Sequence, residues 1–211
     1  MAIENRRERE IEEMKELILS SASTIVASEG FEKISIRKIA KNIEYSPAII
    51  YHYFKDKEEI INILMQRGYK KIISAVSSVN TESLSIEERL TKMTKNYINT
   101  ALSMPDEFLA AQLNTSKEAL NHTSYLFKGA AKDKPALLSL YKCLTEMQKE
   151  KLIDEEKIEL TAQIIAVSTL GLIIKLIVEK EIITEEQKEK LIDFYSKEIV
   201  LKIANNIQIN N

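Results

Sequence analysis

The stretch that decides the fold is SIRKIAKNIEYSPAIIYHYFKDKEEI, residues Ser35–Ile60. Its first two segments each open on a serine, a residue type that favours helix N-caps, and the second serine is followed by a proline at the first helical position. Only Ile43-Glu44-Tyr45 separates the predicted helices Ser35–Asn42 and Ser46–Tyr53. A connection this short forces two helices to cross sharply, which is the geometry of a helix-turn-helix.

The side chains of the second segment divide into an apolar set and a polar set. Ile49, Ile50 and Phe54 can face a core, and we predict that Phe54 is the aromatic that does so. The other side chains suit DNA, because hydroxyls, imidazole and cations bind phosphates and a methyl group can contact a thymine methyl. The second helix of such a unit enters the major groove with its first residues nearest the base edges. The residues predicted to bind DNA are Ser35, Arg37, Lys38, Ser46, Pro47, Ala48, Tyr51, His52, Tyr53 and Lys57.

The charge of this segment differs from that of the whole chain. The 211 residues carry a formal net charge of −2, so no global basic field indicates a nucleic-acid partner. Between Gly30 and Lys57, however, the chain has six lysines and arginines and three acidic residues, which gives a local charge of +3. This is the sign that a phosphate backbone requires. The N-terminal Arg6, Arg7 and Arg9 could add contacts, although neighbouring glutamates offset them.

GFEKISIRKIAKNIEYSPAIIYHYFKDKEEII, residues Gly30–Ile61, resembles the DNA-binding signature of the TetR family of bacterial transcriptional regulators. That signature combines Gly-[Phe/Tyr], Ser/Thr-x-Arg-x-Ile-Ala, Ser-x-x-x-[Leu/Ile]-Tyr-x-[Tyr/His]-Phe and a following Lys-x-x-[Leu/Ile]. The resemblance extends over Ile11–Met65. It implies a homodimer in which each subunit has a three-helix DNA-binding domain and a divergent helical domain that binds an effector.

Carried onto this chain, the resemblance implies phosphate or groove contacts for Arg37, Tyr51 and Lys57, and a base or backbone contact for His52. Ser46-Pro47-Ala48 matches the start of the recognition helix. Glu44-Tyr45 departs from the pattern, because members commonly carry Ala-Gly-Val or a similar turn there. Glycine relaxes such a turn, whereas Glu44 must adopt it by another route and adds a negative charge.

The remaining sequence predicts an all-α protein of about nine helices. Glycine (4) and proline (3) are scarce, and capping signals divide the chain at regular intervals. We predict a DNA-binding domain at residues 1–55 and an effector-binding and dimerisation domain at 56–211, joined by a helix over Asp56–Val79. One helix is expected over Pro105–Leu120, followed by an irregular loop over Asn121–Lys134.

The last two predicted helices, Asp154–Glu181 and Thr184–Ile207, indicate a dimer. The first of them is apolar almost all round, so it needs a second partner surface, and Gly171 permits close approach. Two such helices from each subunit would form a four-helix interface, which is also the location that the resemblance implies. The residues predicted to lie in it are Ile165, Leu172, Leu176, Phe194 and Tyr195.

The middle helices hold methionines and aromatics with a few polar tips, a composition typical of an adaptable apolar pocket. For any single one of them, ordinary core packing is the better explanation. Few cations lie among them, so we expect a small, neutral, apolar effector. The predicted effector-binding residues are Met93, Tyr97, Met104, Phe108, Gln112, Tyr125, Tyr141 and Met147.

Several classes of protein are disfavoured. A single cysteine, Cys143, excludes an intramolecular disulfide, and no phosphate loop, nucleophile elbow or metal-ligand spacing is present. We therefore expect no enzyme, no cofactor and no metal. The absence of a signal peptide and of an uninterrupted apolar span favours a cytoplasmic protein with no membrane partner. The alternatives that stay open are a non-specific architectural DNA-binding protein and a transcriptional activator of the same fold.

Overall fold

The computed structural model describes residues 2–79, 84–148 and 154–206, and its described part is helical without strands. The all-α prediction is confirmed. A 3₁₀ turn, Phe31–Lys33, precedes the helix-turn-helix, and a π-helical turn, Tyr195–Val200, joins the last two helices. The α-helices are α1 Ala2–Glu29, α2 Ile36–Asn42, α3 Pro47–Tyr53, α4 Lys57–Ser77, α5 Ile86–Leu102, α6 Pro105–Gln112, α7 Lys117–Thr123, α8 Ala130–Asp133, α9 Pro135–Met147, α10 Glu155–Val178, α11 Glu185–Phe194 and α12 Leu201–Asn205.

Predicted side-chain caps begin five of the described helices, α2, α4, α5, α10 and α11. The Ser35 hydroxyl accepts a hydrogen bond from the Lys38 backbone N–H at 3.2 Å, and Thr184 caps α11 in the same way. Ser85 and Glu88 form a complete capping box at α5. At α4, Asp56 accepts from the Glu59 N–H, but the Glu59 carboxylate accepts from Lys55 rather than from Asp56. These bonds satisfy backbone donors that the helices cannot pair internally.

The prediction was wrong between residues 105 and 134. The single helix expected over Pro105–Leu120 is interrupted after Gln112, because the Asn114 side chain accepts from the Ser116 N–H at 2.8 Å and Ser116 then begins α7. The expected irregular loop contains the end of α7 and all of α8. The last predicted helix is continuous but includes the π turn, and its expected final residue, Ile207, lies outside the described residues.

Packing divides the chain into two compact units. Unit 1 contains the residues up to Tyr69 together with Pro105–Thr123, and unit 2 contains Lys70–Met104 and the residues from Ser124 onward. This grouping differs from the functional division at residue 55, which stays a prediction. α4 begins in unit 1 and ends in unit 2.

The core of unit 1 explains the arrangement of the helix-turn-helix. One face of α1 supplies its largest share, and α2, α3, α4 and α7 complete it. Its fully or nearly fully buried side chains include Ile18, Ala22, Ile25, Val26, Ile39, Ala40, Ile50, Phe54, Ile60 and Ala119. α6 also packs against α1, so helices from the middle of the chain belong structurally to this unit.

The core of unit 2 is formed by α5, α8, α9, α10 and the π turn with α12. Leu90, Leu144, Ile158 and Ala162 are fully buried in it. Among the described residues α10 is the one helix long and apolar enough to cross a bilayer, and 39% of its most apolar window is buried. Core helices of soluble proteins can be equally long and apolar. This property by itself is therefore weak evidence for a membrane span.

Candidate nucleic-acid interface

The outer face of α3 carries the side chains predicted to meet DNA. Ala48, Tyr51 and His52 are three and four residues apart, so they lie on one face of the helix, and all three are exposed. Tyr51 is 59% exposed. On the opposite side Ile50 is fully buried and Phe54 is 3% exposed. The core therefore fixes the rotation of α3 and holds this polar face outward.

Tyr53 differs from the other aromatics of the cluster. It is half-buried and packs against the core of unit 1, and its ring meets that of His52 edge-on, with centroids 5.2 Å apart. Of the three ring side chains predicted to bind DNA, Tyr51 and His52 are therefore exposed, whereas Tyr53 is only half-exposed. The Tyr53 ring supports the His52 imidazole from one side, because the edge-on arrangement is a favourable one for two rings.

The start of α3 presents small exposed groups. Ser46 occupies the N-cap position with Pro47 after it, as predicted, but the Ser46 side chain makes no capping hydrogen bond. Its hydroxyl is exposed beside Ala48 and is not engaged by the helix end. At α2 the reverse holds, because the Ser35 hydroxyl is used as the cap.

The cations around α3 are not equivalent. The Lys38 ammonium forms an ion pair with Glu29 at the end of α1, and the Lys57 ammonium lies 3.8 Å from the Glu58 carboxylate. Arg37 is exposed and has no ion-pair partner in the part of the chain that the structure describes. A phosphate would have to compete with Glu29 for Lys38, whereas Arg37 meets no such competition.

The turn between α2 and α3 contains the one described residue other than glycine with a positive φ. Glu44 has φ 60°, and the Tyr45 N–H after it donates to the Ala40 carbonyl at 2.9 Å. The left-handed region costs a residue with a Cβ about 1–2 kcal/mol. Glu44 thus adopts, at some strain, the conformation for which the resemblance expects glycine. Its carboxylate is exposed beside the start of α3.

The residues predicted to bind an effector do not all belong to one unit. Phe108 and Gln112 lie in unit 1, and the other six lie in unit 2. Of these six, Met93, Tyr125, Tyr141 and Met147 pack around the core of unit 2. Burial raises the pKa of the Tyr125 phenol and raises that of the Cys143 thiol to about 11, so both groups stay protonated at neutral pH.

A groove of about 350 Å³ in unit 1 contains none of the predicted effector-binding residues. It is lined by Leu17, Ser20, Ser21, Thr24, Asn42 and Ile43.

The residues predicted to lie in the dimer interface differ in how exposed they are. Ile165 and Leu176 are 2% and 4% exposed, so the packing of their own chain already uses them, whereas Phe194 is 58% exposed. Leu172 and Tyr195 are half-buried, and the Tyr195 hydroxyl forms hydrogen bonds with Ser168 and Thr169 on α10. The apolar surface that α10 leaves uncovered is a different set: Leu160, Ile164, Val167 and Val178.

The spacing of that set distinguishes it from the residues that the sequence predicted for the interface. Leu160, Ile164, Val167, Gly171, Ile174 and Val178 are separated alternately by four and three residues, the period of a coiled-coil seam. We call these six residues the α10 seam. Ile174 is half-buried and the other five are exposed. The parallel stripe through Ile158, Ala162, Ile165 and Thr169 has a similar period and is buried, so hydrophobicity alone could not tell the two apart.

Comparison with known proteins agrees with this geometry. Residues 18–64 match the family model described as bacterial regulatory proteins, tetR family. An uncharacterized HTH-type transcriptional regulator of Haemophilus influenzae is 27% identical over 84 residues, which are 40% of this chain and 45% of that protein. The chain thus aligns with less than half the length of this relative.

Solved structures show the same fold over nearly the whole chain. The fatty acid degradation regulator FadR from Bacillus halodurans superposes with a TM-score of 0.63 at 18% identity, covering 92% of this chain and 93% of that one. A proposed fatty acid metabolism regulator from Clostridium perfringens gives a TM-score of 0.63 at 22% identity, covering 92% and 100%. The match to the tetR family thus covers residues 18–64, which include the exposed face of α3, and the chain shares the fold of these solved structures over nearly its whole length.

Proposed function

We propose that this regulator is a repressor that binds a palindromic operator as a homodimer and is released by a small apolar effector. The observation that carries the proposal is the orientation of α3. Ile50 and Phe54 hold the helix against the core, and this leaves Ala48, Tyr51 and His52 together on the opposite, exposed face. That face is the one a recognition helix places in the major groove.

The exposed residues divide between positioning and reading. The Tyr51 hydroxyl and the Arg37 guanidinium can bind phosphate oxygens, which fixes the register of the protein on the duplex without selecting sequence. Ala48 can contact a thymine methyl, and His52 can donate to or accept from a base edge. The exposed Ser46 hydroxyl, free of a capping role, is a further phosphate ligand.

The uncovered α10 seam supports the homodimer. A helix face with alternate four- and three-residue spacing packs well against another helix of the same kind. No charged residue lies between Leu160 and Ile174, and charge depletion is typical of the buried centre of an interface. Two-fold symmetry suits the function, because recognition helices in successive major grooves must be about 34–36 Å apart.

The effector class follows from the side chains of the middle helices. Met93, Tyr125, Tyr141 and Met147 offer thioethers and phenols around an apolar core with few cations. Two proteins of the same fold are described as regulators of fatty acid degradation or metabolism, so fatty acyl compounds are the first class to test. The effector would act by favouring a conformation that binds DNA poorly, and a few kcal/mol of preference is enough to switch the population.

Footprinting tests the proposal most simply. Purified protein is incubated with the DNA upstream of its own gene at several salt concentrations and treated with DNase I. We expect protection of a short palindrome that weakens steeply with salt. Protection spread evenly along the fragment would instead favour the architectural alternative.

Transcription from the protected promoter in vitro separates the two remaining roles, since a repressor lowers it and an activator raises it. A regulator of this kind works in the cytoplasm.

A further inference from the structure

One stripe of α10 binds a neighbouring segment of its own chain at three successive turns. Glu155, Glu159 and Gln163 are spaced by four residues, so they share a face of the helix. The Lys132 ammonium lies 3.1 Å from the Glu155 carboxylate, and the Ala131 N–H donates to Glu159 at 3.1 Å. These contacts tie residues 125–132, which we call the strap, along the first half of α10.

Gln163 makes the contact that positions the middle of the strap. Its side chain is 7% exposed in an otherwise apolar stretch, and its amide donates to the carbonyls of Tyr125 and Phe127 at 3.0 and 3.1 Å. A buried amide without partners would cost about 1–3 kcal/mol, so the two bonds are held firmly. The residue between the two carbonyls, Leu126, is therefore fixed in place although no core covers it.

The strap carries apolar surface that its own unit does not bury. Leu126 is 69% exposed and Phe127 is 43% exposed, with the Lys134 ammonium 5.7 Å from the centre of the Phe127 ring. The bonds from Gln163 hold the backbone on both sides of Leu126 against α10. Contiguous exposed apolar side chains, unlike single ones, mark sites where another molecule binds.

The strap lies beside the α10 seam. Gln163 lies three residues after Leu160 and four residues before Val167, and residues at these spacings are neighbours on the surface of a helix. The line of strap contacts therefore runs next to the seam. Leu126, whose two neighbouring carbonyls accept hydrogen bonds from Gln163, is therefore held at the edge of the seam.

We infer that the strap is part of the subunit interface, where Leu126 of one copy packs against the α10 seam of the second copy. This inference rests on the proposed dimer and deepens it by adding a contact outside the last two helices. A second copy is the occupant that fits, because two-fold symmetry brings the same patch of both subunits together and the seam is charge-free beside the strap. Gln163 is then a positioning residue for the interface.

Sedimentation equilibrium of the full-length protein tests the inference with a matched control. Leu126→Asp should raise the dimer Kd about 10- to 100-fold, as expected for one well-packed interface side chain. Leu113→Asp changes a leucine of unit 1 with the same 69% exposure and should leave the Kd within about threefold. Gln163→Ala should weaken the dimer through the strap, and circular dichroism verifies that each variant is folded.

The outcomes separate this inference from the proposed dimer. If Ile164→Asp dissociates the protein but Leu126→Asp does not, the dimer uses the seam and the strap inference is wrong. If the wild-type protein is a monomer, or Ile164→Asp leaves the dimer intact, the proposed dimer face itself fails.

A photo-cross-link tests directly whether position 126 contacts α10 of the second copy. Leu126→Cys labelled with benzophenone maleimide should yield a dimer-sized band on illumination, with the cross-linked peptide from α10 of the second copy. The wild-type protein, whose sole cysteine is the buried Cys143, should yield none. A cross-link from position 126 to a lipid or to another protein, instead of to a second copy of the chain, would overturn the inference.

Discussion

Glu44→Gly should make the protein both more stable and a tighter DNA binder. The residue is exposed in the turn of the helix-turn-helix with φ 60°, and its carboxylate adds a negative charge where DNA phosphates would approach. Glycine removes both features at once. Glu44→Gln removes the charge but retains a Cβ, so it separates the two effects.

The expected magnitudes follow from the backbone and the charge. Relief of the left-handed conformation contributes about 1–2 kcal/mol, and the extra freedom of glycine in the unfolded chain offsets about 0.5–1 kcal/mol of it. A net gain of roughly 0.5–1 kcal/mol in the free energy of unfolding remains. Removal of an exposed charge near phosphates is worth up to about 1 kcal/mol, a two- to fivefold change in Kd at low salt.

Two assays measure these effects on the full chain. Urea unfolding followed by circular dichroism should rank Glu44→Gly as the most stable, with Glu44→Gln close to wild type. Fluorescence anisotropy with labelled operator should show both variants binding more tightly, and the difference from wild type should shrink as salt is raised. If the Glu44→Gly protein is no more stable than the Glu44→Gln protein, the backbone at this turn is not strained and the reasoning is wrong.

Four further substitutions test the fold of unit 1 by urea unfolding. Phe54→Ala should cost about 3–5 kcal/mol, because it leaves a cavity at a side chain that is 3% exposed, and a loss below about 1 kcal/mol would mean that Phe54 does not anchor α3. Ser35→Ala should cost about 1 kcal/mol through loss of the α2 cap, whereas Ser46→Ala, whose hydroxyl makes no capping bond, should cost clearly less. The hydrogen bonds from Arg67 lower the pKa of Glu16 below 4.5. The pair therefore stabilises the fold above about pH 4.5 and loses its contribution as pH falls through the lowered pKa. Since both side chains are largely exposed, Glu16→Gln should cost about 0.5 kcal/mol at pH 7 and progressively less as the pH falls through the lowered pKa, and a cost that does not fall with pH would contradict the ion pair.

The fold of the DNA-binding unit was predictable because its signals are local. Caps at Ser35 and Asp56, the proline at Pro47 and a three-residue connection each specify a boundary without reference to the rest of the chain. The break at Asn114 was missed since its cause is a side-chain bond to the backbone two residues on, and Asn-Thr-Ser is compatible with both a helix and a turn. The π turn at Tyr195–Val200 has no recognisable sequence signal.

For the candidate site, the sequence predicted which face of α3 is exposed. It did not predict the ion-pair partners of the cations around that helix. The apolar spacing placed Ile50 and Phe54 inward and Tyr51 and His52 outward. It could not show that Glu29, nine residues earlier, pairs with Lys38, because that contact depends on how α1 meets α2. In α10 two apolar stripes have a similar period, and only tertiary packing decides which one is left for a partner.

The most direct test of the central claim compares Tyr51→Phe with His52→Ala on a panel of operators that each carry one base-pair change. Kd values are measured by fluorescence anisotropy at one salt concentration. If the exposed face of α3 reads the major groove, Tyr51→Phe weakens binding to every operator by a similar factor. His52→Ala then flattens the preference at one or two positions, by about 1–3 kcal/mol. Equal loss on all operators for both variants, or no loss for either, would contradict the account.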